Sequence, residues 1–213
     1  MENLVQEIYS AVLNGNASET KEKVQMALDN GSPAEELLNQ GLIAAMKEVG
    51  QLFEDGEYFV PEMLISARAM KSGMTILRPI LVSQDIKPIG KVVIGTVKGD
   101  LHDIGKNLVS MMLEGSGFEI IDLGTDVTPE KFLEAINTHK PDLVGMSALL
   151  TTTMTNIEKT LRFLEENGAR KGLKVIIGGA PISQKYADEI GADGFAPDAS
   201  QAAIVAKRMM EVA

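Results

Sequence analysis

Residues 95–107, "GTVKGDLHDIGKN", hold one of only two histidines in the 213-residue chain and set it between two acids. Asp100 stands two residues before His102, and Asp103 directly follows it. In a tight loop, a carboxylate two residues upstream can accept an N–H from one ring nitrogen. The other nitrogen is then left as a basic lone pair facing outward. Carboxylates do this for metal-ligating histidines, fixing the tautomer and strengthening the donor, and the same geometry serves a general base. Asp103 reads as the N-cap of the helix that follows. One imidazole is too few for zinc, which takes three or four protein ligands, and no Glu or His spacing elsewhere on this edge fills the gap. The choice is between a metal that brings its own ligands and no metal at all.

Other residues converge on the same edge. Ser147, Leu149 and Thr151 to Thr153 lie at or just beyond the end of one apolar run, and Gly178, Gly179 and Ala180 close another. Gly99 and Gly105 permit close approach of the backbone to something bulky, and Gly178–Gly179 removes side chains where a group must thread past a strand. The glycines do not form a dinucleotide fingerprint: Gly95, Gly99 and Gly105 have the wrong spacing for G-x-G-x-x-G, and no G-x-x-x-x-G-K-[ST] occurs. Lys98 and Lys106 read as solvated helix-edge lysines, although either could balance Asp100 or meet a phosphate. His139, in the turn "NTHKPD", belongs to the opposite edge and reads as a solvated turn histidine.

The elements that position these residues fall into two halves with different periods. Residues 1–84 read as four helices in an antiparallel bundle. The first carries Leu4, Ile8 and Val12 on one face, and the second is closed by Gly31. The third opens with Ser32 as N-cap and Pro33 at its first position, with a stripe through Leu38, Leu42, Met46 and Val49. The fourth begins near Pro61, with a stripe through Leu64, Ala67, Met70, Met74 and Leu77. Residues 85–90 form a linker containing a proline and a glycine. From 91 to 213, short β-branched runs at 91–97, 118–124, 142–149, 174–179 and 193–197 alternate with helical stretches. That alternation predicts a five-stranded parallel sheet covered on both faces. A flavodoxin-like (Rossmann-like) order, 2-1-3-4-5, places ligands at the strand C-terminal edge near the switch in order.

Composition narrows the function classes. Apolar residues make up 45% of the chain, enough for a real core, but aromatics are only 4%, so packing rests on aliphatic side chains and 12 methionines. The net charge of −10 offers no basic face for a phosphate backbone, so nucleic acid is not an expected partner. The absence of cysteine removes disulfides, thiolate metal sites and a thiol nucleophile. With no signal-peptide pattern and no stretch of 18 apolar residues, a cytoplasmic protein without membrane contact is expected.

Taken in order and spacing, "GDLHDIGKN", "IIDLGTDV", "VGMSALLTTTM", "VIIGGAP" and "GADGFAPDA" resemble the cobalamin-binding domain of methionine synthase and the small corrinoid proteins of methylotrophic methyl-transfer systems. The Asp-x-His-x-x-Gly hallmark is here Asp100, His102 and Gly105, followed by Ser147 and the pair Gly178–Gly179. The helical half resembles the four-helix cap that precedes this domain. The resemblance implies a cobalamin or related corrinoid bound base-off, with His102 as the lower axial ligand of cobalt and Asp100 orienting it. It implies that Gly99, Leu101, Asp103, Ile104, Ser147, Leu149, Thr151, Gly178, Gly179 and Ala180 complete the cofactor site, with Ser147 and Thr151 along the channel for the nucleotide tail. Cap residues within "EYFVPEMLISARAM", with Phe59, Met63 and Met70 as candidates, are expected over the upper corrin face.

The corrin ring's four nitrogens would answer the shortage of protein ligands. The implied function is a methyl carrier, cycling between Co(I) and methyl-Co(III). A substrate-specific corrinoid methyltransferase would load it, and a second would unload it to tetrahydrofolate or a thiol coenzyme, with a reductive activation protein as a further partner. Asp100 is expected to hold or release a proton as His102 leaves the metal, and the "QDIKPIG" linker to act as a hinge. Alternative readings are a B12-dependent sensor, a small-subunit B12 carrier of another enzyme, and a cobalt-free flavodoxin-like signalling module.

Overall fold

The computed structural model describes residues 2–211, the side chains from Leu4 onward. They divide into two compact units, one running to Lys87 with Gly115–Gly117, the other comprising Pro88–Glu114 and the chain from Phe118.

The helical unit contains α1 (Glu2–Leu13), α2 (Ala17–Asp29), α3 and α4 (Val60–Ser83). Helix α3 runs through Ala34–Glu36, a π-helical segment Leu37–Ile43 and Ala44–Glu54 without leaving helical dihedrals. Asn16 caps α2 reciprocally: its Oδ1 accepts the Glu19 N–H at 3.2 Å, and its Nδ2 donates to the Glu19 carboxylate at 2.8 Å. The buried row on α1 is Val5, Ile8, Ala11 and Val12; Ile8 and Val12 lie on the expected face, whereas Leu4 is half-buried and Val5 is buried beside it.

Helix α3 departs from expectation in two ways. Its N-cap position is Pro33, with extended backbone, and the Ser32 hydroxyl is buried without a hydrogen-bond partner instead of capping. Its buried row runs from Ala34 through Leu37, and Leu38 is only half-buried. The π-helical turn supplies the reason, because an i→i+5 turn absorbs one extra residue. Leu37 thereby comes into line with Leu42, five residues on, and with Met46 beyond it.

On α4 the buried row is Met63, Ala67, Met70, Gly73, Leu77 and Leu81, which leaves Leu64 exposed. Gly73 sits where an added Cβ would stand 3.1 Å from Leu42 and 3.2 Å from Thr20, so its small size sets how closely α2 and α3 approach α4.

The second unit is a parallel five-stranded sheet in the order β2-β1-β3-β4-β5. The strands are β1 (Lys91–Thr96), β2 (Glu119–Asp122), β3 (Leu143–Ser147), β4 (Lys174–Gly178) and β5 (Gly194–Ala196). They alternate with α5 (Ile104–Gly115), α6 (Pro129–His139), α7 (Thr151–Glu166), α8 (Gln184–Ile190) and α9 (Ala199–Met209). Successive side chains point to opposite faces of a strand. Val93, Val144, Val175 and Ile177 therefore pack with Phe132, Ile157 and Leu161 on one face, while Val92, Leu143 and Ile176 pack with Leu113, Ala202 and Ala206 on the other.

Register places Thr96, Ser147, Gly178 and Ala196 side by side across β1, β3, β4 and β5. This row of small residues marks the C-terminal edge of the sheet, where the order switches between β1 and β3. No described helix is long and apolar enough to cross a membrane.

Candidate functional site

The loop after β1 is shaped from inside the α/β unit. Gly99 takes φ +81°, a region that favours glycine, and the turn returns Asp100 N–H to the Val97 carbonyl at 3.1 Å. This aims the Asp100 side chain inward, where the residue is 1% exposed. Its Oδ1 accepts the His102 backbone N–H at 3.0 Å and faces His102 Nδ1 at 2.7 Å. Its Oδ2 accepts the Leu149 N–H at 2.8 Å and the Thr153 hydroxyl at 2.6 Å. Four donors fill the lone-pair directions of the carboxylate.

Burial alone would raise the Asp100 pKa. The hydroxyl of Thr153, the N–H of Leu149 and the two bonds from His102 outweigh it, holding the carboxyl well below the usual carboxylate range. An ionised Asp100 fixes the imidazole tautomer. Nδ1 carries the proton and donates it, so Nε2 carries the lone pair. The His102 side chain is 52% exposed. Among the described residues Nε2 takes no hydrogen bond.

The surrounding residues occupy definite places. Thr96 Oγ1 donates to the His102 carbonyl at 2.9 Å and lies 2.9 Å from Ser147 Oγ, so β1, β3 and the histidine loop are tied through two hydroxyls. Leu101 and Ile104 are 73% and 74% exposed, an unusual display of aliphatic surface beside a polar group. Gly105 is exposed in the first turn of α5, and a Cβ there would meet nothing within 4 Å. Asp103 accepts from Asn107, through its carbonyl at 2.8 Å and through its carboxylate from Nδ2 at 3.1 Å. Thr151 is exposed at the start of α7, Leu149 is exposed beside it, and Ala180 is exposed beyond β4.

Both glycines at the end of β4 have a reason within the chain itself. A Cβ on Gly178 would lie 2.8 Å from the Ala196 carbonyl oxygen. On Gly179, at φ +125°, it would lie 1.9 Å from that of Ala148.

Several expectations change. Lys106 is not solvated: its side chain is 1% exposed, and Nζ donates to Asp122 at 2.6 Å and to Asn107 Oδ1 at 2.7 Å. Lys98 is exposed, as expected, and its carbonyl accepts from Asn156 Nδ2 at 2.7 Å. Met63 and Met70, candidates for the corrin face, are 2% and 3% exposed, whereas Phe59 is 64% exposed. His139 ends α6, away from the site. Sequence reasoning placed Thr153 at this edge without giving it a role, and it missed Thr96, Asp126 and Asn156. The signal for Thr153 was its place in the first turn after β3, where a side chain can reach back toward the strand end.

The donor set can be matched to a cofactor. Among the described residues no group of three His, Cys, Asp or Glu side chains could hold a metal ion. One exposed imidazole with a fixed tautomer, flanked by aliphatic side chains and an open glycine, fits a large flat metal complex that supplies its own equatorial ligands. Such a unit, at the order switch of a flavodoxin-like sheet, is the arrangement expected of a B12-binding protein.

Comparison with known proteins agrees. A family described as B12 binding domain matches residues 90–204, and a second of the same description matches residues 4–78. The chain is 42% identical over 213 residues to a dimethylamine corrinoid protein of Methanosarcina acetivorans, covering 99% of this chain and 98% of that one. It is 39% identical over 210 residues to a corrinoid protein of Desulfitobacterium hafniense, covering 97% of each. The methanol:cobalamin methyltransferase complex of Methanosarcina barkeri superposes with a TM-score of 0.89 at 30% identity, over 99% of this chain and 80% of that one. The chain belongs to the corrinoid methyl-carrier proteins, which bind a cobalamin-type cofactor and shuttle a methyl group between two methyltransferases.

Proposed function

We propose that His102 Nε2 is the lower axial donor to the corrinoid cobalt and that the chain carries methyl groups in this His-on state. The single observation behind this reading is the orientation of the ring. Nδ1 is committed to Asp100 at 2.7 Å, which leaves the Nε2 lone pair exposed and the tautomer fixed. The bound corrinoid supplies a cobalt that accepts and surrenders a methyl group.

The chain's own residues do the rest. Thr153, Leu149 N–H and His102 N–H keep Asp100 ionised, so Asp100 is a poor proton acceptor. Leu101 and Ile104 offer apolar surface to the corrin, and Gly105 leaves room for it. Ser147, Thr151, Gly178, Gly179 and Ala180 lie along the sheet edge toward β4, the route for the nucleotide tail.

A substrate-specific methyltransferase delivers the methyl group from a small methylated compound, and the second passes it to tetrahydrofolate or a thiol coenzyme. A reductive activation protein would be a further partner. The relative from Methanosarcina acetivorans, a dimethylamine corrinoid protein, makes methylated amines the first donors to assay.

The test is electron paramagnetic resonance of the cobalt(II) state, using nitrogen-15-labelled protein and unlabelled corrinoid. A protein nitrogen on cobalt splits the signal into a doublet, which His102→Gly removes. A doublet that survives His102→Gly overturns the assignment.

A further inference from the structure

Asp126, in the loop between β2 and α6, holds the histidine loop by two hydrogen bonds made from one residue. Its Oδ1 accepts the Gly99 N–H at 2.7 Å, and its own N–H donates to the Asp100 carbonyl at 3.0 Å. The two bonds bracket the Gly99–Asp100 dipeptide, whose geometry decides that the Asp100 side chain turns inward. Asp126 pays for this position with a backbone φ of +53°. Left-handed backbone is natural for glycine, tolerated by Asn and Asp, and unfavourable for most other residues. Ten of the described positive-φ positions are glycine, and Asp85, Asp126, Lys140 and Glu211 are the other four. A glycine at 126 would relieve the backbone but lose the acceptor. The hydrogen bond to Gly99 is what an aspartate supplies there and a glycine cannot.

The structure assigns Asp126 as a positioning residue for the axial histidine, acting through Gly99 and Asp100. This rests on the reading of His102 as the cobalt donor. Among the described residues Asp126 makes no hydrogen bond to the imidazole. It sets the backbone from which the Asp100 carboxylate meets Nδ1, and hence the direction of Nε2. Asn156, which donates to the Lys98 carbonyl at 2.7 Å, steadies the preceding residue from α7. The isolated parallel bridge between Val97 and Val127 brings the two loops into register.

The experiment compares wild type, Asp126→Asn and Asp126→Gly. Each is nitrogen-15-labelled, loaded with the same unlabelled corrinoid and held in the cobalt(II) state. Asparagine keeps a carbonyl acceptor and tolerates left-handed backbone, so D126N retains the nitrogen doublet. D126G removes the acceptor while easing the backbone, so its losses report the missing hydrogen bond. Its doublet weakens, and its corrinoid Kd rises roughly threefold to tenfold, the range set by one hydrogen bond. The inference is overturned if D126G matches wild type in doublet and Kd, or if D126N and D126G lose them equally. A wild-type protein without the doublet overturns the donor assignment and this inference with it. That outcome differs from failure of the inference alone, in which wild type shows the doublet and D126G keeps it.

Discussion

Thr153 donates its hydroxyl to the Asp100 carboxylate at 2.6 Å, across 53 residues of sequence. The bond joins the first turn of α7 to the loop after β1, and it lies on the opposite oxygen from His102. Thr153→Val keeps the shape and removes the donor, leaving a buried carboxylate oxygen with one partner fewer. Loss of a hydrogen bond to a charged, buried group costs about 1.5–3 kcal/mol. Urea unfolding of the apoprotein is expected to show that loss for T153V. Thr153→Ser, which keeps the hydroxyl, is expected to recover most of it.

Asp100 makes stability depend on acid. Its folded pKa is depressed below the ordinary value of 3.8, first against the opposing effect of burial and then through Thr153, Leu149 and His102. A depressed carboxylate stabilises the fold at pH values above its unfolded pKa, and the contribution disappears as pH falls through the folded value. Asp100→Asn turns an amide N–H toward groups that are themselves donors, and is expected to cost about 1–3 kcal/mol at neutral pH. The gap between wild type and D100N in urea midpoints should be full above pH 3.8 and narrow below it. A gap independent of pH between neutrality and the acid limit would show that Asp100 is not held ionised in the fold.

The sheet was legible because a change of period is a property of contiguous sequence. "KVVIGTV" and "KVIIGG" announce strands, and turn residues bound them closely enough that each observed strand lies within its expected run. Less was legible where a helix departs from regular winding, since nothing in "LLNQGLI" signals the extra residue that brings Leu37 rather than Leu38 inward. The histidine and its aspartate share one loop, so spacing exposed them. Thr96 ends β1 in the same stretch, whereas Thr153 and Asp126 arrive from the start of α7 and from the loop after β2. A loop-to-loop hydrogen bond depends on the adjacency of β2, β1 and β3, and carries no local pattern. Lys106 was misread for the same reason: its partner, Asp122, ends a strand 16 residues away.

The pair of Lys106 and Asp122 is asymmetric, with the lysine side chain 1% exposed and the aspartate 40% exposed. Removing the aspartate strands a buried ammonium, whereas replacing the lysine by an apolar chain of similar length leaves only a carboxylate that water can reach. Asp122→Asn is therefore expected to destabilise the fold by about 2 kcal/mol more than Lys106→Met, read from urea midpoints. Equal costs would mean that the ammonium is hydrated in solution.

Gly105 and Gly179 make opposite predictions although both are among the proposed cofactor residues. At Gly179 an alanine Cβ would lie 1.9 Å from the Ala148 carbonyl oxygen, at φ +125°. Gly179→Ala must displace backbone next to Leu149, with a cost above about 3 kcal/mol and a large fall in Tm even without corrinoid. At Gly105 the backbone is helical and an added Cβ meets nothing within 4 Å. Alanine there restricts the unfolded chain and favours the helix, so Gly105→Ala is expected to stabilise the apoprotein by about 0.5–1 kcal/mol. If Gly105 makes room for the corrin, as proposed, the same methyl group lowers corrinoid affinity while apoprotein stability rises. Calorimetric melting of the apoprotein and a corrinoid titration of the same sample separate the two effects. Unchanged affinity in G105A would show that Gly105 leaves no space the cofactor uses.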